Sequence, residues 1–303
     1  MNSGVHKEAI TSVGIVGLGI MGLPISVNIA KAGFEVFGYD IQQERTDLLV
    51  AEGGRAAISA RAVAEESQVV LTSLPSLEAF EEVVWGSQGL IASGVEGLIV
   101  MECSTLALAD KQRAHEDMTK AGMIFLDCPI SGGARAAQKD LVVYGSGEGG
   151  AFDRCLPVVN AFARANYFLG EFGNGTKMKL VANLLVAIHN VSTAEAMVFG
   201  MKSGLDPETI FKVMCDSSGR SRMLEVRGPR MVEGNYQKPT MPVKTFRKDL
   251  EIIARQAADI QCPTPLFTSS FQVYLGALAL GLDDQDTASA CAVLEKWAQL
   301  KRV

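Results

Sequence analysis

Two side chains in the run GNGTKMKLVANLLVAIHN, Gly173 to Asn190, have the types and spacing for proton chemistry. Lys179 and Asn183 lie four positions apart, which puts them on one face of a helix. Leu180, Val181, Leu184, Leu185, Val186 and Ile188 make that helix apolar nearly all round, and such a helix is normally buried. A buried ammonium is costly unless it is used. Desolvation lowers the pKa of a lysine, which suits it to take a proton from a hydroxyl or to return one. An amide one turn along can hydrogen-bond the reacting oxygen or a carboxylate. Taken alone, Lys179 fits better as a lysine whose stem covers apolar surface while its head reaches water. Lys177, two positions earlier, falls on another face and is expected to be solvated.

A second constellation is GIVGLGIMGLP, which contains G-x-G-x-x-G at Gly17, Gly19 and Gly22, with Leu18, Ile20 and Met21 between them. The first glycine permits a tight turn and the second lets backbone N–H groups approach a pyrophosphate. The third lets the following helix pack closely, with its N-terminus toward the phosphates. An acidic residue, Asp40, closes the next strand at the distance this fingerprint requires. Its carboxylate suits the ribose hydroxyls and repels a 2′-phosphate, so NAD is expected, with NADP as the alternative that nearby Arg45 leaves open. Ser131, with the backbone N–H groups of Gly132 and Gly133, offers a small anion cradle suited to a carboxylate. In isolation that tripeptide is a plain turn.

These residues need elements to hold them. From Ser12 to about Gly170, short apolar runs (SVGIVGLG, FEVFGYD, QVVLTSLP, GLIVMECST, MIFLDCPISGG) alternate with helical stretches, the pattern of βαβ units and a parallel sheet. DLVVYGSG and ANYFLG are further strand candidates. After about Gly175 long helical patterns take over, with SGLDPET as clear punctuation: Asp206 caps a helix and Pro207 sits in its first turn. The expected fold is α/β: a Rossmann-type doubly wound sheet over 1–172 that binds dinucleotide, then an all-helical domain over 173–303 for substrate binding and dimerisation. The long helix from Gly175 to about Ser203 should bridge the two.

Composition narrows the class. A length of 303 residues suits about two domains. A formal net charge of −6 argues against nucleic acid as a partner. The six cysteines show no C-x-x-C pair, so neither zinc nor a compact disulfide framework is expected. The start MNSGVHKEAITS lacks the apolar region of a signal peptide, and YLGALALGL falls short of a membrane span. A reduced, cytoplasmic chain without a membrane partner or a metal is the expectation. His6 and His115 are expected at the surface and His189 in the core.

Taken together, GLGIMGLPISVNIAKAG, DCPISGG, GNGTKMKLVAN and FRKDL resemble, in order, the motifs of the β-hydroxyacid dehydrogenase family. That family includes 3-hydroxyisobutyrate dehydrogenase and tartronate semialdehyde reductase and is related to 6-phosphogluconate dehydrogenase. The resemblance covers nearly the whole chain. It implies that Lys179 is the general acid/base, that Asn183 assists it, and that Ser131, Gly132 and Gly133 bind substrate. It places Lys248 and Asp249 near the nicotinamide end of the site, and Leu74, Pro75 and Thr105 at the nicotinamide ribose. The chain departs from the family pattern after SGG, where it has Ala136–Ala137 and Asp140. It departs again in ECSTLALAD, where Glu102 stands for the usual aspartate and no proline follows Ser-Thr.

The resemblance implies an NAD-preferring oxidoreductase acting on a small 3-hydroxy acid or the matching aldehyde or keto acid. The nearly all-round apolar surface of the helix from Gly175 to about Ser203 exceeds what one small bundle would bury, so a homo-oligomer is expected. Two alternatives are an imine reductase on the same scaffold, which needs no lysine at 179, and a non-catalytic dinucleotide sensor, which needs neither Lys179 nor Asn183.

Overall fold

The structure, a computed structural model, describes residues 9–302, apart from the side chains of 133–135. His6 lies outside the described residues. The chain divides into two compact units, Met1–Lys179 and Leu180–Val303. The first turns of the long helix belong with the first unit.

The first unit runs β1 (Ser12–Val16), α1 (Gly22–Lys31), β2 (Glu35–Tyr39), α2 (Gln43–Ala51), β3 (Arg55–Ala56), α3 (Ala60–Glu65), β4 (Val69–Thr72) and α4 (Leu77–Trp85). It continues with β5 (Ile99–Glu102), α5 (Leu108–Lys120), β6 (Ile124–Asp127), β7 (Ile130–Ser131), β8 (Val142–Gly145), α6 (Gly149–Phe162) and β9 (Ala165–Phe168). Six strands form one parallel sheet in the order β3-β2-β1-β4-β5-β6. Every residue of β4 and β5 is buried, as strands covered by helices on both faces must be, and this is why they read as unbroken apolar runs rather than alternating ones. Ser59 and Ser76 cap α3 and α4 through their side-chain oxygens.

The last strands differ from the sequence expectation. MIFLDCPISGG is not one strand: it breaks after Asp127, where Pro129 has no N–H to continue a ladder. The segment beyond it, β7, joins β8 and β9 in a separate three-stranded sheet. Asp127 still bridges to Ser146, so the two sheets are stitched where β6 ends. The parallel pairing of β8 with β9 needs a crossover, and α6, which the sequence reading lacked, supplies it. His115 is half-buried rather than exposed, its ring stacked on Phe172 at 4.2 Å.

The second unit is helical. α7 (Asn174–Lys202) enters from the first unit and is followed by α8 (Pro207–Asp216), α9 (Arg222–Glu233), α10 (Val243–Asp259), α11 (Pro265–Ala279) and α12 (Ala290–Trp297). Asp206 caps α8 with Pro207 in its first turn. The arginine-rich run SSGRSRMLEVRG contains the cap and first turns of α9, with Ser221 as the capping residue. At 1.5 Å per residue α7 is about 43 Å long. Ala187, Val191, Ala194 and Met197 form its buried stripe and share a core with Phe246, Leu250, Phe267 and Tyr274. Not all of the apolar surface of α7 is covered within the chain: Val181 and Phe199 are 56% and 75% exposed, and Leu185 is exposed too. One stripe is all that the neighbouring helices cover. By length and composition α7 is also long and apolar enough to cross a membrane, which the sequence reading had not noticed; much of it is core helix here. All six cysteines are free thiols.

A buried ion pair organises the segment before α10. Arg227 Nη1 donates to Asp286 Oδ2 at 2.8 Å, and the side chains are 9% and 0% exposed. The same carboxylate accepts the N–H of Thr240 at 2.8 Å, and its other oxygen accepts the N–H of Ala288 at 3.0 Å. Removing one member of such a pair strands a buried charge, at a cost of about 3–5 kcal/mol. Asp286→Ala is expected to lose that much in urea unfolding; a loss below about 1 kcal/mol would show that the second unit does not depend on the pair.

Candidate active site

The glycine motif forms the turn from β1 into α1, and the structure gives each glycine a distinct reason. Gly17 has φ +90°, and a Cβ there would lie 2.3 Å from the Ser73 carbonyl oxygen. A Cβ on Gly22 would sit 1.8 Å from the Gly17 carbonyl oxygen, so α1 starts against the backbone of its own turn. A Cβ on Gly19 would meet nothing within 4 Å. Gly19 is therefore not demanded by packing within the chain; it leaves backbone open at the N-terminus of a helix, where phosphate oxygens are favoured. That is the cradle a pyrophosphate needs, and the residues present fit a dinucleotide.

Asp40 follows β2 directly and holds this turn in shape. Its Oδ2 accepts the N–H of Leu18 at 2.7 Å and its Oδ1 accepts the N–H of Gln42 at 2.9 Å. Each carboxylate oxygen can accept more than one hydrogen bond, so Asp40 can shape the loop and still receive hydroxyls. Leu74 and Pro75 follow β4, and Thr105 follows β5, at the carboxyl ends of neighbouring parallel strands, where ligands of doubly wound sheets bind. Leu74 donates its N–H to Ser104 Oγ at 2.8 Å, which ties these two loops together. Ser131 ends β7 and is half-buried; Gly132 follows it and is exposed, and Gly133 opens a short 3-10 turn.

Lys179 and Asn183 both lie on α7, one turn apart, with Lys179 half-buried and Asn183 buried. Asn183 Nδ2 donates to Asp249 Oδ2 at 2.8 Å, and Lys248 Nζ is 3.8 Å from Asp249 Oδ1. Asp249 thus fixes which way the Asn183 amide faces, leaving its oxygen and second N–H to be used. Lys177 is exposed and its ammonium donates to Asn174 Oδ1 at 3.0 Å.

The sequence reading missed one feature entirely. Lys111 of α5 is fully buried, its ammonium 2.9 Å from Asp127 Oδ1 and 3.9 Å from Glu102 Oε1. Burial alone would pull its pKa down, but the facing carboxylates of Asp127 and Glu102 outweigh burial and hold it above the ordinary lysine value. Glu102 also accepts the Ser104 N–H at 2.7 Å and the Thr72 hydroxyl. Asp127 accepts both the N–H and the hydroxyl of Thr176, each at 2.7 Å. A signal existed in the sequence: Lys111 shares the inward stripe of α5 with Ala114 and Met118. Among the described residues no cluster of His, Cys, Asp or Glu could hold a metal.

A glycine turn open to phosphate and a carboxylate ending β2 suit a dinucleotide. Comparison with known proteins agrees. Residues 12–170 match the model of the NAD-binding domain of 6-phosphogluconate dehydrogenase, and residues 173–294 match that of the NAD-binding domain of NADP-dependent 3-hydroxyisobutyrate dehydrogenase. The chain is 29% identical to 2-(hydroxymethyl)glutarate dehydrogenase of Eubacterium barkeri, over 98% of each chain. It is 32% identical to L-threonate dehydrogenase of Haemophilus influenzae, over 93% of this chain and 94% of that one. Among solved structures, 3-hydroxyisobutyrate dehydrogenase from Salmonella typhimurium superposes with a TM-score of 0.86 at 31% identity, covering 93% of this chain and 99% of that one. The chain belongs to the β-hydroxyacid dehydrogenase family, and it is an NAD(P)-dependent oxidoreductase acting on CH–OH groups.

The glycine geometry separates binding from folding. Gly22→Ala should lower the unfolding midpoint, because its methyl meets backbone; overpacking of this kind costs about 1–3 kcal/mol. Gly19→Ala should leave that midpoint in place and weaken NAD binding by at least about tenfold in calorimetry. Unchanged NAD affinity in Gly19→Ala would remove the turn from the cofactor site.

Proposed function

We propose that the chain transfers a hydride between NAD(H) and a small 3-hydroxy acid or its aldehyde or keto acid, with Lys179 as the general acid/base. The observation that carries this reading is Asn183, buried and oriented by Asp249, one turn from Lys179 on α7. A pair kept only for packing has no use for an amide whose direction is set by a buried carboxylate.

The nicotinamide ring, when bound, accepts or returns the hydride. Gly17, Leu18, Gly19, Ile20, Met21 and Gly22 hold the pyrophosphate, and Asp40 takes the adenosine ribose, which favours NAD over NADP. Leu74, Pro75, Thr105 and Lys248 hold the nicotinamide end. Ser131, Gly132 and Gly133 receive the substrate carboxylate and stop it turning, which supplies the orientation that a transfer step requires. Lys179 removes the hydroxyl proton during oxidation and returns it during reduction, while Asn183 hydrogen-bonds the reacting oxygen. The relatives named for hydroxymethylglutarate, threonate and hydroxyisobutyrate support a short hydroxy acid as the substrate class.

The test starts from a panel of such acids followed by reduction of the dinucleotide. A positioned acid/base contributes about 10²–10⁴ in rate, so Lys179→Ala should lower kcat on the best acid at least a hundredfold. Lys177→Ala should change it little. Normal turnover by Lys179→Ala would end this mechanism, and a tenfold or greater preference of the wild type for NADP would end the assignment of Asp40.

A further inference from the structure

We propose that the buried Lys111 is the hub of a positioning device, in which Asp127 fixes the turn of α7 that precedes Lys179 and Glu102 fixes the two loops assigned to the nicotinamide end. This rests on the reading of Lys179 as the acid/base group. All the members lie in the first unit, and the hydrogen bonds divide into two arms.

The first arm runs through Asp127, at the end of β6. Its carboxylate takes the N–H of Thr176 on one oxygen and the hydroxyl of Thr176 on the other. The opening turn of a helix has N–H groups without partners inside the helix and carries partial positive charge, so a carboxylate there stabilises the turn and sets its direction. Ser146 supports it, accepting the N–H of Gly175 at 2.9 Å. The seat is tight: a Cβ on Gly175 would lie 2.4 Å from the Tyr144 carbonyl oxygen and 2.7 Å from that of Asp127. Lys179 follows Thr176 by three residues, so its position is set from the end of β6.

The second arm runs through Glu102, at the end of β5. Glu102 accepts the Ser104 N–H, and Ser104 Oγ accepts the Leu74 N–H. One carboxylate therefore sets the loop after β5, which carries Thr105, and through Ser104 the loop after β4, which carries Leu74 and Pro75. Lys111 faces both carboxylates with no exposure of its own. Two buried carboxylates at adjacent strand ends would repel each other, and the ammonium facing both offsets that repulsion. Structural integrity alone needs no such arrangement, since well-packed apolar residues can replace a buried ion pair without loss of stability. What the charges add is direction.

The two arms make distinct demands, and a test can read them apart. Thr176→Val removes the hydroxyl bond and keeps the backbone bond; it should lower kcat on the best acid roughly tenfold or more, since small misplacements near a reacting group cost up to about a hundredfold. NAD affinity by calorimetry should stay within about twofold, and Thr176→Ser should recover most of the rate. Ser104→Ala should weaken NAD binding about tenfold. In Asp127→Asn, amide hydrogen exchange at the first turn of α7 should accelerate, a readout that needs no substrate. If the wild type oxidises none of the acids tested, the functional reading fails, and exchange and NAD affinity still decide the positioning. Unchanged exchange in Asp127→Asn overturns the proposal. So does a folded Thr176→Val with wild-type kcat, or equal losses of kcat and NAD affinity in both Thr176→Val and Ser104→Ala.

Discussion

The ammonium of Lys111, with no surface of its own, is a charge that the first unit can hold only because Asp127 and Glu102 face it. Moving a lone charge of this kind out of water is prohibitive, and pairing with additional hydrogen bonds is the condition for keeping it. That condition reaches outward. The two carboxylates end neighbouring strands, and their remaining lone pairs go to Ser104, Thr72 and Thr176. The parallel sheet brings the strand ends together, the ion cluster joins them, and the segments that leave them carry the candidate site.

The glycine turn works by the opposite logic. At Gly17 and Gly22 the chain allows no side chain, because backbone occupies the space a Cβ would need; at Gly19 the space is open. Asp40 locks the turn from the side by accepting the Leu18 N–H. Contacts within the chain thus help to shape the turn. Preorganised donors of this sort cost no ordering when phosphate arrives.

Much of this was legible in the sequence because it is local. The glycine spacing, the strand before it, the acidic residue after the next strand, and Asp206–Pro207 at the start of α8 each lie within a few residues or one βαβ unit. The parallel sheet followed from the alternation of apolar runs with helical ones. The second sheet did not, because its separation from the first depends on Pro129 ending a strand in the middle of an apolar run. Lys111 was hidden by its neighbours: on a helix reading LADKQRAHEDMTK one more lysine passes for a solvated charge. Its partners are strand ends brought beside it by the fold, Asp127 being 16 residues away and Glu102 on a different strand. Asn183 and Lys179 could be paired from their spacing, whereas the pairing of Asn183 with Asp249 spans 66 residues and needed the packing of α10 on α7. The nearly all-round apolar character of α7 reads as more surface than one small bundle can bury. The structure covers a single stripe and leaves Val181, Leu185 and Phe199 at the surface of the chain, because hydropathy records what a helix can bury and not how many neighbours it has.

The central claim is that Lys179 moves the proton in the chemical step. Its most direct measurement is a single turnover by stopped flow: Lys179→Ala, already loaded with NAD, is mixed with the best hydroxy acid, once protiated and once deuterated at the carbinol carbon. Nicotinamide reduction should slow at least about a hundredfold relative to wild type and show a full primary isotope effect, with NAD affinity unaltered. A burst of reduced nicotinamide at the wild-type rate in Lys179→Ala would contradict the account.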